Sequence, residues 1–293
     1  MKTAVMTDTN SGILVEEGSD HGIFIMPMPI QIDGQDYLEG KNIDHESVFA
    51  ALKAGKSVST SQPSPFELQE CWENIFANGY DEIVYIPMSG GLSSSLESAE
   101  MMAKDFGGRV QVVDNRRISM TLLDSVYDAK YMADQGQNAV AIKKRLEENA
   151  SQSIIYIMVN DLRYIVKSGR ITAAGAAVAT VAGIHPVLKI ESGRLDAFAK
   201  ARGVKACETI MLEAAQTAVN ETFTGIAREK IHIGVAGTMT DAEENDAWIR
   251  RVKDTFPGYS VEYRPLSCSI ACHIGSGTKG VSVGIVDRVE QGQ

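Results

Sequence analysis

Short apolar, β-branched runs alternate with longer stretches of helical periodicity along the first half of the chain. Residues 2–6, 82–86, 109–113 and 153–159 are rich in Val, Ile or Tyr and bounded by Gly, Asp, Asn or Pro, which predicts strands. Between them, Leu122, Val126, Ala129 and Ala133 recur at helical spacing, as do Ala139, Ile142 and Leu146 within 138–148. Residues 65–76 predict a further helix. Ser64 suits its N-cap, Pro65 its first position and Glu67 the reciprocal capping position. Strands alternating with helices imply crossover connections and a largely parallel sheet.

The pattern changes near residue 151. Strands are predicted at 186–190, 231–236, 260–264 and 281–286, and helices at 204–219 and 241–255. Glu191-Ser192-Gly193 is a turn signal between two short apolar pieces, which predicts a hairpin and so a mixed sheet. The expectation is an α/β protein of two domains, 1–150 with a parallel sheet and 151–293 with a mixed one. A length of 293 residues agrees, at roughly 150 per domain. No low-complexity linker separates the halves, so they should pack closely and leave the cleft between them as the ligand site.

Charge narrows the partners. Lys and Arg number 28 against 38 Asp and Glu, a formal net charge of −10, and no dense basic stripe interrupts the acidic balance. Nucleic acid is therefore not an expected partner. The weakly polar stretch 171–184 is 14 residues long, short of the roughly 20 needed to span a bilayer. Asp8 interrupts the N-terminus before a signal-peptide core can form. Four cysteines make no disulfide scaffold. These features predict a soluble, cytoplasmic chain.

Several polar segments could carry chemistry. Asp8-Thr9-Asn10-Ser11 follows the first strand, where ligands gather in open parallel sheets, although the same residues would also cap a turn. Residues 59–64 and 89–95 concentrate hydroxyls at helix starts, with Gly90-Gly91 allowing close backbone approach. Ordinary capping explains either segment alone, while both together suit an anionic group. Ser93 fails the G-x-S-x-G elbow, because Ser95 stands where the second glycine belongs. Residues 172–183 are small and uncharged, a run that either packs closely or leaves a volume for a long apolar ligand. Arg170 at its edge is either a structural ion pair or a partner for an anion. Lys200, Arg202 and Lys205 are a solvated face or a surface that steers a phosphate or an acidic partner. Cys268, Cys272 and His273 lack the fourth ligand of a structural zinc site, so no metal is expected and the cysteines read as small buried hydrophobes.

In order along the chain, Thr7 to Ser11, Thr60 to Ser64, Ser89 with Leu92-Ser93, Val113-Asp114, Gly169-Arg170-Ile171, Lys200 to Lys205, and His273 with Gly275 and Gly277 resemble the DegV family. These are bacterial fatty-acid-binding proteins that include the binding subunit of fatty-acid kinase. Ser94-Ser95, Ser168 and Ser276 depart from the family's usual Gly-Thr, glycine and proline. The resemblance implies two α/β domains enclosing one long-chain fatty acid, with no cofactor and no catalysis by this chain. It implies a role in phospholipid metabolism, the ligand being presented to a separate ATP-dependent fatty-acid kinase subunit. Membrane contact would be transient. By motif position, Thr60 and Ser93 would hold the carboxylate, with Ser61 and Ser94 nearby and His273 and Gly275 in the ligand site. Arg170, Arg202 and His273 would face the acyl phosphate or the kinase. Two other readings stay open: a hydrolase or phosphotransferase acting on a small anion in the same cleft, and a sensor of a small polar ligand.

Overall fold

The computed structural model describes residues 1–171 and 183–288, so the small-residue run at 172–183 lies, apart from Gly183, outside the described residues. The strands are β1 (Thr3–Asp8), β2 (Ile23–Met26), β3 (Pro29–Ile32), β4 (Gln35–Leu38), β5 (Val58–Thr60), β6 (Glu82–Ile86), β7 (Val110–Val112), β8 (Ser153–Met158), β9 (Ile184–Glu191), β10 (Arg194–Arg202), β11 (Ile231–Gly237), β12 (Ser260–Pro265) and β13 (Lys279–Ile285). They form a parallel sheet ordered β2-β1-β6-β7, a small antiparallel sheet β4-β3-β5, and a six-stranded sheet β10-β9-β8-β13-β11-β12. In the last, β11 and β12 run parallel and the other neighbours antiparallel, which makes it mixed.

Described helices are α1 (Val15–Asp20), α2 (His45–Lys53), α3 (Pro65–Ala77), α4 (Ser95–Ala103), α5 (Ser119–Asp134), α6 (Ala139–Glu148), α7 (Leu162–Ser168), α8 (Val204–Thr217), α9 (Ala242–Thr255) and α10 (Cys268–Ile274). None of them is long and apolar enough to cross a membrane. The capping box at α3 is present in both directions, with Ser64 and Glu67 each serving the other's backbone amide. The hairpin between β9 and β10 turns through Ser192 and Gly193, both at positive φ (52° and 79°). That backbone is what a two-residue turn matching strand twist requires.

Alternation along β8 separates the two faces of the mixed sheet. Ile155, Ile157 and Val159 join a core shared with α5, while Ile154, Tyr156 and Met158 pack on the Cys207–Met211 side of α8. The stripe Leu122, Val126 and Ala129 is buried in α5 as its spacing predicts. Burial does not stop there, because α5 lies between the parallel sheet and the mixed sheet, touching β1 and β6 as well as β11 and β13. Its polar residues are therefore also taken from water and need partners. Asp124 meets His232 Nδ1 at 2.7 Å and Arg288 at 2.9 Å, and Asp128 accepts from Arg288 at 3.2 Å. Burial alone would raise the Asp124 pKa, but His232 and Arg288 outweigh it and hold the carboxyl below its ordinary value.

The periodic pattern missed β2 to β5, α1, α2, α7 and α10. These elements are mostly three to nine residues long. Too few repeats fall within them for periodicity to register, and the small sheet is held by packing against α2 and α10.

Candidate functional site

All four strands of the parallel sheet lead into segments beyond their carboxyl ends that line a cavity. Asn10 follows β1, Met28 follows β2, Met88, Leu92, Ser93 and Ser94 follow β6, and Ile118 to Met120 follow β7. This is the position where open parallel sheets present ligand-binding loops. The opposite wall is the α5-facing side of the mixed sheet, including Ile155, Ile157, Ile190, Leu195 and Ala236. Thr60 to Gln62, at the end of the small sheet, and one face of α10 complete a cavity of about 250 Å³.

One end is polar. The Thr60 hydroxyl shares a hydrogen bond of 2.8 Å with His273 Nε2. Ser94 and Ser98 each donate to Gln62 Oε1, at 3.1 and 3.0 Å, which ties the start of α4 to the segment after β5. Ser93 Oγ meets Ser95 Oγ at 2.8 Å. Arg170 donates from Nε to the Leu92 carbonyl at 3.2 Å, one residue before Ser93. Burial is what lowers the Arg170 pKa, and no carboxylate among the described residues offsets it. Burial, with Arg170 adding repulsion, pushes His273 down to about 4, so its ring is neutral at pH 7. No Asp or Glu lines the cavity among the described residues. The end is thus rich in hydroxyls and cationic in balance.

Thr60, Ser61, Ser93, Ser94, Arg170 and His273 all line this cavity. Two other expected site residues do not. Arg202 sits exposed at the far end of β10, opposite Ile184, because the strand carries it along the sheet edge and away from the cavity. Gly275 ends α10 at φ 69°, and a Cβ there would lie 2.7 Å from the Tyr164 ring. Its glycine serves that close approach to α7, and its carbonyl accepts from Thr238.

Two local readings also change. Thr60 is not at a helix start. It closes β5, paired with Ile30, and the first-turn amides of α3 belong to Ser64. The Gly90-Gly91 pair makes room for protein and not for ligand. A Cβ on Gly91 would lie 2.4 Å from the Gly193 carbonyl, and Ser89 Oγ donates to that same oxygen at 3.0 Å. The hairpin tip of the mixed sheet is thereby seated on the loop that presents Ser93.

The sequence reading passed over Ser269 and Ser119, both on the cavity wall. A signal existed for the first. Once His273 is on a helix, Ser269 shares its face four positions earlier. Cys268 and Cys272 then take another face, packing with Ile30, Ile32 and Val48 of the small sheet and α2. Ser119 carried no such signal, since its positive φ of 54° at the start of α5 appears only in the folded backbone.

The DegV family, described as uncharacterised proteins, matches residues 2–285. The chain belongs to the DegV family. A DegV domain-containing protein of Deinococcus radiodurans is 29% identical over 284 residues, covering 97% of this chain and 98% of that one. Among solved DegV structures, one from Thermus thermophilus described by its fatty acid binding superposes with a TM-score of 0.87 at 26% identity, covering 98% of this chain and 100% of that one. A DegV from Bacillus subtilis, described as a fatty acid binding protein, shares the fold with a TM-score of 0.83 at 23% identity, covering 97% and 99%.

Proposed function

We propose that this DegV protein binds one long-chain fatty acid between its sheets and presents the carboxylate to a separate ATP-dependent kinase subunit. The observation that carries the reading is the lining of the cavity: apolar over most of its wall, with hydroxyls, an imidazole and a guanidinium at one end and no Asp or Glu among the described lining residues. The solved relative from Thermus thermophilus, described by its fatty acid binding, supports the same ligand class.

Tail burial contributes roughly 0.8 kcal/mol per methylene, offset in part by the ordering of a flexible chain. Affinity therefore comes mainly from the tail, and the polar end decides which way the molecule points. A carboxylate stripped of water needs donors. Thr60 and Ser93 supply hydroxyls, with Ser61 and Ser94 beside them, and neutral His273 can donate through one ring nitrogen. In the kinase step, a carboxylate oxygen forms a bond to the γ-phosphorus of ATP. The bond to the bridging oxygen breaks, and ADP leaves with that electron pair. Arg170, close to Ser93, is suited to bind the charge that the phosphoryl group brings.

A hydrolase or phosphotransferase in the same cleft finds its best support in the Thr60–His273 contact. An imidazole held to about 4 is a weak base at neutral pH, which favours the binding reading.

Mass spectrometry of lipid extracted from purified protein tests the proposal, with a long-chain fatty acid as the expected passenger. A preparation that carries no lipid and also ignores added long-chain acids overturns it. Phosphorylation of the bound acid in the presence of ATP should require an added kinase subunit. Turnover by this chain alone would favour the enzyme reading.

A further inference from the structure

Three parts of the fold that are distant in sequence supply the head-group residues. Thr60 ends the small sheet, Ser93 follows β6, and His273 rides on α10. To share one carboxylate, such groups must be held to within a fraction of an ångström. The same three parts meet once more, at a buried polar cluster around Glu39, which is 1% exposed.

Glu39 directly follows β4, whose neighbour β3 also pairs with β5, the strand that ends at Thr60. One carboxylate oxygen accepts from the Cys268 amide; the other accepts from the Ser269 amide at 3.4 Å and the Thr9 hydroxyl at 2.7 Å. The two amides open α10, one turn before His273. Thr9 follows β1, and its neighbour Asp8 accepts from the Met88 amide at 3.0 Å, on the loop that leads to Ser93. A second link runs parallel: Asn10 Oδ1 accepts from the Ser267 and Ser269 hydroxyls at 3.2 and 2.5 Å. The Asp8-Thr9-Asn10 segment therefore joins the parallel sheet to α10, and Glu39 joins both to the small sheet.

We propose that Glu39 is a positioning residue for the head-group end, setting His273 and Thr60 in register with Ser93. The proposal rests on the reading that a carboxylate sits there. Donor arithmetic makes the residue type specific. The Thr9 oxygen already accepts from the Met28 amide at 3.2 Å, so its single proton is the one given to Glu39. All three groups facing Glu39 are donors, and only a carboxylate offers acceptors on both atoms. Glutamine would set an NH₂ group against at least one of them.

The test offers stearic acid and its methyl ester in equimolar competition, read by native mass spectrometry on wild type, Glu39→Gln and Thr9→Val, with Thr60→Val as the head-group control. In Glu39→Gln the preference for acid over ester should fall at least about tenfold, the scale of one hydrogen bond to a charged group. Ester binding should stay within roughly twofold of wild type. Thr9→Val, which keeps shape and removes the hydroxyl, should lower the preference in the same direction and carries the test if Glu39→Gln does not fold. NMR of the His273 ring adds a readout that plain destabilisation would not move: loss of register should raise its pKa from about 4 toward the ordinary value. A preference that survives in both variants overturns the proposal, as does a parallel loss of acid and ester binding. A wild-type protein that does not discriminate acid from ester removes the carboxylate reading instead, and the proposal with it.

Discussion

The two ends of the cavity are built in opposite ways. The apolar wall comes largely from one face of one sheet, where strands that are neighbours in the ladder present alternate residues side by side. The polar end draws Thr60, Ser93, Arg170 and His273 from separate elements and not from a shared ladder, with Thr60 bonded to His273 and Arg170 to the Leu92 carbonyl. A wall of the first kind tolerates small changes, because many residues share the burial. A site of the second kind depends on register, since its donors come from different elements.

Filling the apolar end should do the greatest damage. Gly234 lets β11 approach α5, and a Cβ there would lie 2.5 Å from Met120 Cβ and 2.4 Å from Ser282 Oγ. Gly234→Val should drive Met120 or Ser282 aside and weaken fatty-acid binding by roughly 10- to 100-fold, the range expected for overpacking. Calorimetric titration checks this, and unchanged affinity would mean that the tail does not reach Gly234.

The titratable groups lie toward the polar end, and a pH scan exposes them. His273 is depressed to about 4, so the stability it contributes is present above its ordinary pKa of 6.5 and is lost as pH falls through 4. Asp8, raised to about 6 by burial, has the opposite sign: its contribution is present below 3.8 and lost as pH rises through 6. Between pH 4 and 6 the two slopes oppose each other. Thermal denaturation of His273→Gln against wild type should show the variant gaining on wild type as pH falls from 6.5 to 4, by on the order of 2 kcal/mol. A difference independent of pH would contradict the burial of a neutral ring.

Thr60→Val tests the polar end with little change of shape. It should lower affinity for a fatty acid about tenfold while sparing the methyl ester, which isolates orientation from tail burial. Arg202→Ala should leave fatty-acid affinity within about twofold of wild type, because Arg202 is exposed on the sheet edge outside the cavity. A large loss of lipid in that variant, measured by the same titration, would put Arg202 at the ligand and contradict its place outside the cavity.

The amino-acid pattern was most informative where structure is local. The capping box of Ser64 and Glu67, the Ser192-Gly193 turn and the buried stripe of α5 are each set by residues within a few positions of one another. Motif order also singled out six residues that line the cavity. It could not separate them from Gly275, because position in a motif does not say which way a helix end faces, and Arg202, expected to face the acyl phosphate or the kinase, lies exposed outside the cavity. Nor could it assign Asp8-Thr9-Asn10, which read equally well as a ligand loop or a turn and forms a polar joint whose Asn10 also lines the cavity.

Taken alone, the chain's periodicities and punctuation determined the α/β class, the change from a parallel to a mixed sheet, and the hydroxyl-rich segments suited to an acid. Tertiary structure decided which of those segments meet. The Thr60–His273 contact spans 213 positions, and the second buried face of α5 exists because two sheets close on one helix. Local sequence acts through backbone preference over a few residues, whereas these contacts depend on how whole layers pack.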